Sequence, residues 1–279
     1  MNNNPLIIHI NAGLGNQLFM LFAGISKAID ENRKFLIYPN SGNNRNFYFN
    51  NFYSWLSQHV ITHVNKYELK CYVDPSNLFY NKIPDNYDFI EWGYFQSEKY
   101  FIHNYETLRE MFKIDEFQNK YQLKNKNNIA IHFRLGDYYK NNLCVLSSNY
   151  YIDALNILKQ KLGNNDFYNY NFIVFGEKED NLIITEKINE INSKFENKLN
   201  FIKIYDCDNN LNEYEELILM SNCDHFIMAN STFSWWSAYL CRNKNKIIIC
   251  PFNSSMVLEN EFYNRPDFYP NNYIQIKTI

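Results

Sequence analysis

Residues 127–140, NNIAIHFRLGDYYK, place His132, Arg134, Gly136 and Asp137 directly after the apolar run Ile129, Ala130, Ile131. The run is β-branched at both ends while the residues after it are poor strand formers, so the pattern predicts a strand ending in a loop that carries chemistry. Strand alternation sends His132 and Arg134 to one face and Ile131 and Phe133 to the other. Gly136 lets the backbone turn. The carboxyl edge of a parallel sheet is where α/β proteins bind ligands, and the planar five-donor fork of arginine matches a phosphate. The competing reading is an Arg134–Asp137 pair that stabilises the turn and nothing more.

Two further turns bear on that choice. Asn230-Ser231-Thr232-Phe233-Ser234-Trp235-Trp236 stands where an apolar stretch, 225–228, gives way to helical spacing. Hydroxyls at a helix N-terminus either cap it or hold a phosphate, with the macrodipole helping. Taken alone, the run is equally an ordinary N-cap, Ser231 or Thr232, with tryptophans filling the core. The third turn, Asn11-Ala12-Gly13-Leu14-Gly15-Asn16-Gln17, lies between an apolar strand at 6–10 and a helix from about 17 to 29. Unpaired amides at such a helix start suit an anion. It is not a dinucleotide fingerprint, because the third glycine of G-x-G-x-x-G is missing and no Walker lysine follows.

The elements that must position these residues fall into two series. In the first, strands at 6–10, 34–38 and 88–92 accompany the helix at 17–29 and a second helix at 97–112, with Ser97 as its cap. The intervening 40–84 is irregular and aromatic. Residues 118–128 are polar and lysine-rich without apolar period, which marks a linker. Beyond it, strands at 129–133, 171–175, 201–205, 225–228 and 246–250 alternate with helices at 150–162, 180–195, 212–221 and 232–242. That alternation implies a doubly wound parallel sheet. The domains are therefore 1–117, an N-terminal α/β domain, and 129–279, with an aromatic, loop-rich tail from Phe252 that has the option of returning to the first domain.

Composition narrows the function classes. The 279 residues carry a net charge of −3, 46% hydrophobic and 20% charged side chains, so the chain is globular and lacks the basic excess of a nucleic-acid partner. Tyr and Phe number 23 each, which fits sugar-stacking surfaces but fits coding bias as well. Six cysteines show no C-x-x-C pair and read as reduced, structural residues. No stretch approaches a membrane span, and the N-terminus has no basic n-region of a signal peptide. A cytoplasmic location is expected; peripheral membrane association would leave no trace in the sequence. There is no D-x-D pair near the motifs and no His/Cys cluster at metal-ligand spacing, so no metal site is expected.

Together the three turns resemble the α-1,2-fucosyltransferase family, glycosyltransferase family 11. Residues 11–19 are similar to its G-L-G-N-Q-L/M-F motif, 132–138 to H-x-R-x-G-D-Y, and 219–240, LMSNCDHFIMANSTFSWWSAYL, to its long carboxyl-terminal motif. The sequence departs from the family in three places. Leu135 stands where a second arginine is usual, Gly176-Glu177-Lys178-Glu179 where serine and paired aspartates are usual, and Glu216 where an aspartate is usual.

The resemblance implies a GT-B glycosyltransferase: two Rossmann-like domains facing a cleft, the first for acceptor and the second for donor. It would move L-fucose from GDP-fucose to the 2-hydroxyl of a terminal galactose, with inversion, without metal or other cofactor. Departure of GDP develops charge on the pyrophosphate, so positive charge and N–H donors must meet it. Arg134 is the expected donor of that charge, with Ser231, Thr232 and the Phe233 amide at the phosphates, His132 at the nucleotide or its phosphates, and Asn230 and Glu216 in the same donor pocket. Asn16 and the Gly13/Gly15 turn would reach the pyrophosphate from the first domain. Asp137 would orient Arg134 or stand near the acceptor, and no residue presents itself as the base. Transfer from another nucleotide sugar, and a non-catalytic carbohydrate-binding protein, are the alternatives.

Overall fold

A computed structural model describes residues 4–40, 45–141, 143–252 and 265–277. The chain divides into two compact α/β units, one of residues 1–117 and 266–270 and the other of residues 118–265 and 271–279. Each is built on a sheet whose strand pairings are all parallel.

In the first unit, β1 (Leu6–Ile10) lies between β2 (Phe35–Pro39) and β4 (Phe89–Trp92), and β3 (Cys71–Val73) borders β4. Leu6, Ile8 and Ile10 are buried on the face covered by α1 (Leu14–Asp30), whose Leu14, Leu18, Leu21, Phe22 and Ile25 are fully enclosed. Each such side chain contributes roughly 1.5–3 kcal/mol on burial. Helix and strand approach so closely at Gly24 that a Cβ there would come within 2.7 Å of Ile8, so a larger residue has to push the strand away. The irregular 40–84 region yields β3 and two 3₁₀ turns, Ser54–His59 and Lys66–Glu68.

The helix expected at 97–112 is broken. Ser97 does cap, its side chain accepting from the Lys99 amide, but what it caps is a 3₁₀ turn; Phe101 at φ −143° interrupts the ladder, and α2 covers only Tyr105–Met111. Lys113 then turns the chain at φ +52° before α3 (Ile114–Lys120). In the expected linker, residues 118–120 complete α3. Gln118 is buried, its amide donating to Ser221 Oγ at 2.8 Å and Leu240 O at 3.1 Å, because a polar side chain in apolar surroundings must find acceptors.

The described residues of the second unit form a sheet of six strands, ordered β10-β9-β8-β5-β6-β7. They are β5 (Asn128–His132), β6 (Asn171–Phe175), β7 (Asn200–Lys203), β8 (His225–Ile227), β9 (Ile248–Pro251) and β10 (Ile274–Ile276). Its helices are α4 (Gly136–Lys140), α5 (Ser148–Leu162), α6 (Asn164–Phe167), α7 (Asn181–Ser193), α8 (Ile204–Cys207), α9 (Glu213–Ser221) and α10 (Thr232–Leu240). All five residues of β5 are buried, as a central strand covered on both faces requires. The strand expected through 205 stops at Lys203, where α8 starts. The loop-rich tail contributes a sixth strand, β10, paired with β9 from Ile274↔Ile249 to Ile276↔Pro251. Among the described residues no helix is long and apolar enough to cross a membrane, and all six cysteines are free thiols.

Candidate active site

The order of the second sheet sets the site. β5 has β8 on one side and β6 on the other, so the turns after β5 and β8 leave the same carboxyl edge as neighbours. Two adjacent tyrosines of α5 fix them there: Tyr151 donates to the His132 carbonyl at 2.9 Å and Tyr150 to the Met228 carbonyl at 2.6 Å. Neither was legible as a site residue, since each reads as ordinary helix core. Tyr138 Oη donates to the Asn230 carbonyl at 2.7 Å, and Asn230 Nδ2 donates to the Cys144 carbonyl at 2.8 Å, which stitches the two turns together. The His132 and Phe233 rings stand 5.5 Å apart.

Pairing with β6 runs one residue past His132, the Phe133 amide donating to Phe175 O at 2.9 Å. Arg134 therefore leaves the sheet beside the segment that follows β6. Its Nη1 donates to Glu177 Oε1 at 2.7 Å, its Nη2 is paired with Asp137, and its Cζ lies 5.6 Å from the Tyr138 ring centre. Gly136 sits close against the same segment: its amide donates to Asp180 Oδ2 at 2.8 Å, and a Cβ there would meet Glu177 Oε2 at 3.0 Å. The Arg134–Asp137 pair anticipated as the competing reading is present, and a second carboxylate, Glu177, joins it. That residue belongs to the departure from family pattern at 176–179.

Electrostatics separate the roles. Burial, and then the neighbouring guanidinium, push His132 down to about 3, so it is a neutral imidazole at physiological pH and brings no charge to a phosphate. Arg134 is held charged by Asp137 and Glu177 against its burial. Burial first, then Glu213 and Glu177, push the Glu216 carboxyl up to about 7. Through Glu177, Glu216 and Arg134 share one electrostatic neighbourhood. Three buried atoms on the two turns, His132 Nδ1, Asp137 Oδ1 and Asn230 Oδ1, have no hydrogen-bond partner among the described residues.

Ser231 is the N-cap of α10, its Oγ accepting from the Phe233 amide at 3.3 Å, while Thr232 and Phe233 are the first helical residues and partly exposed. Trp235 and Trp236 are core, fully enclosed. The cap and the core filling are thus real, and they put the start of α10 at the carboxyl edge, next after β8.

The remaining three candidates belong to the first unit. α1 begins at Leu14, three residues before its expected start, so Gly13 is the N-cap and Gly15 and Asn16 lie in the first turn. Asn16 Oδ1 accepts from Gln96 Nε2 at 2.7 Å. Gln17 Nε2 donates to the carbonyls of Ala12 at 2.8 Å and Asn46 at 2.9 Å, holding Ala12 at φ +62°, a conformation that favours glycine.

The model of glycosyl transferase family 11 matches residues 56–277. An alpha-1,2-colitosyltransferase of Escherichia coli is 31% identical over 198 residues, covering 66% of this chain and 61% of that protein, so less than two thirds of its length is spanned. The O-antigen biosynthesis glycosyltransferase WbnK of Escherichia coli is 26% identical over 296 residues, covering 87% of this chain and 92% of its own. No solved structure is a significant match. Matched over most of its length, with H-x-R-x-G-D-Y and the long carboxyl-terminal motif joined at one sheet edge, the chain belongs to glycosyl transferase family 11.

Proposed function

We propose that the protein transfers L-fucose from GDP-fucose to the 2-hydroxyl of a terminal galactose, inverting the sugar carbon, without a metal ion. The fold would be used in the GT-B manner, the first unit taking the acceptor and the second the nucleotide sugar. The observation that carries this reading is Arg134: a guanidinium with a side chain 23% exposed, aimed by two carboxylates, at the end of a central parallel strand and stitched to a capped helix start. Pyrophosphate oxygens would take over the donors now given to Glu177 and Asp137, and the Ser231 hydroxyl and the first amides of α10 would receive the rest of the developing charge. Neutral His132 would pack against the nucleotide and offer one hydrogen bond. Glu216, once ionised, has the two oxygens that guanine's N1–H and 2-amino group require, a pattern uracil and thymine lack.

A second reading changes the sugar alone. One relative is named an alpha-1,2-colitosyltransferase, and colitose is L-fucose without its 3-hydroxyl, so the donor would be the corresponding nucleotide sugar. A panel of GDP-, UDP- and dTDP-sugars against β-galactosides, with linkage analysis, tests both. An α-1,2-fucosyl product, unchanged by chelator, is expected. A product with colitose alone selects the second reading, another linkage or a chelator-sensitive reaction refutes the first, and glycan binding without affinity for GDP would make the protein a carbohydrate binder.

A further inference from the structure

Arg134 meets two carboxylates of the second unit, and they are held differently. Asp137 lies three residues on in the same turn, with a side chain 33% exposed and its Oδ1 buried. Glu177 comes from the turn after β6, 43 residues away, with a side chain 45% exposed. Its Oε1 accepts from Arg134 Nη1 at 2.7 Å, and among the described residues Arg134 is the one cation it pairs with. Its other neighbours repel it. A Cβ at Gly136 would lie 3.0 Å from Glu177 Oε2 and 3.1 Å from Asp180 Oδ2, so two carboxylates crowd one point of the backbone. Asp180 accepts from the Gly136 amide at 2.8 Å, which leaves Arg134 as the attraction that keeps Glu177 in place. Burial first, and then the like charges of Asp137, Asp180 and Glu179, raise the Glu177 carboxyl pKa in spite of Arg134. An ion pair as wetted as this one is weak, and a carboxylate on a guanidinium takes the donor that a phosphate oxygen would use.

We propose that Glu177 is a built-in competitor of the nucleotide: it contends with the pyrophosphate for Arg134 Nη1, and it opposes the product GDP more strongly than the donor GDP-fucose, so that it drives product release. The proposal rests on the reading of Arg134 as the cation for the pyrophosphate. Transfer frees the β-phosphate from its ester, and at pH 8 the freed group carries one more negative charge than it did in the donor, because the second phosphate proton leaves near pH 6. A cation alone would therefore hold the product more tightly than the substrate. A carboxylate fixed beside that cation reverses part of the difference, since its repulsion grows with each charge added to the ligand. Glu177 suits the task where Asp137 does not. Its longer side chain is the more exposed of the two, and it is attached to a different segment from Arg134, so it can withdraw without unwinding the turn that carries the guanidinium.

The test is calorimetry on the full chain at pH 8, above the value of about 7 to which Glu216 is raised, so that both carboxylates are ionised. Glu177→Gln keeps the size of the side chain and removes its charge. It should bind GDP about three- to tenfold more tightly than wild type, with a smaller gain for GDP-fucose. GDP should leave the variant more slowly by a similar factor, read by displacement of a fluorescent GDP analogue. The advantage over wild type should shrink as salt rises from 0.05 to 0.5 M, because a contest between charges is screened and a change of shape is not. Glu179→Gln is the control: it removes an exposed charge two residues away that makes no ion pair with Arg134 among the described residues, and it should leave GDP affinity near wild type. Glu177→Ala serves in the same comparison if Glu177→Gln fails to fold. GDP binding no tighter than in wild type, a gain no larger than that for GDP-fucose or that of Glu179→Gln, or a gain that salt leaves unchanged would each overturn the proposal. Wild type that binds neither GDP nor GDP-fucose would instead overturn the donor reading.

Discussion

Each unit ends its parallel sheet in polar residues, but the two edges treat charge in opposite ways. In the second unit the cation is shielded: Arg134 has a side chain 23% exposed and is gripped by Asp137 and Glu177. In the first unit the cation near β4 is Lys66, 51% exposed and paired with Glu91 where water screens both. What the first edge keeps dry is neutral, the unmatched acceptors of His9, Asn11 and Gln17. The contrast fits the donor role proposed for the second edge. A phosphate ester gathering negative charge responds to a cation held in low dielectric, whereas a hydroxyl needs a lone pair that no counter-ion has claimed.

The sharpest way to break the contrast is at Arg134. Arg134→Ala should lower turnover by about 10²–10³-fold and weaken GDP binding, while melting near the wild-type temperature, because the carboxylates it leaves, 33% and 45% exposed, remain wetted. Arg134→Lys keeps charge without the fork and should recover little. Unfolding of Arg134→Ala, seen by circular dichroism, would return the residue to a structural role.

Glu216 tests whether the second edge is tuned by protonation. With its folded value raised to about 7, the folded protein binds more protons than the unfolded chain between the ordinary carboxyl range and pH 7, so this group's contribution to stability falls as pH rises through that window. Glu216→Gln should therefore gain about 1–3 kcal/mol at pH 8 in denaturant titrations. If the ionised Glu216 recognises guanine as proposed, wild-type GDP affinity should rise from pH 6 to 8, and Glu216→Gln should lose that rise and bind GDP about tenfold or more weakly. Equal GDP affinity in both proteins across that range would detach Glu216 from the base.

Smaller effects should follow at the cap and at the exposed pair. Ser231→Ala removes the acceptor for the Phe233 amide and should cost about 1 kcal/mol, read as a melting shift, along with weaker GDP binding. A double-mutant cycle on Lys66 and Glu91 should give a coupling below about 1 kcal/mol. A coupling several times larger would show that the first edge holds a protected charge after all, and would erase the distinction.

The second unit was readable because buried parallel strands are continuous apolar runs, and β5, β6 and β8 announce themselves as IAI, FIV and HFIM between polar segments. Short elements escaped. β3 and β10 are three residues each with no apolar run continuing beyond them, as Met228-Ala229 continues β8, and the 97–112 spacing was helical although Phe101 and Lys113 adopt angles that no periodicity reports. At the candidate site, the motif residues were visible by type. Their partners were not, because Glu177 meets Arg134 across 43 residues and Tyr138 meets Asn230 across 92, and such pairings depend on strand order.

The tail threads both units. Asp267 accepts from the Tyr80 amide at 2.9 Å and pairs with Lys99 in the first unit, and a few residues later β10 closes the edge of the second sheet. The contacts that close both units therefore come from one stretch of the chain, residues 266–276. Neither unit can be completed before residues 266–276 have been made, although the first has had some 150 residues of elongation in which to collapse around α1. During that interval the nascent first unit presents an unfinished surface at 80 and 99, the place where a chaperone or a protease would find it.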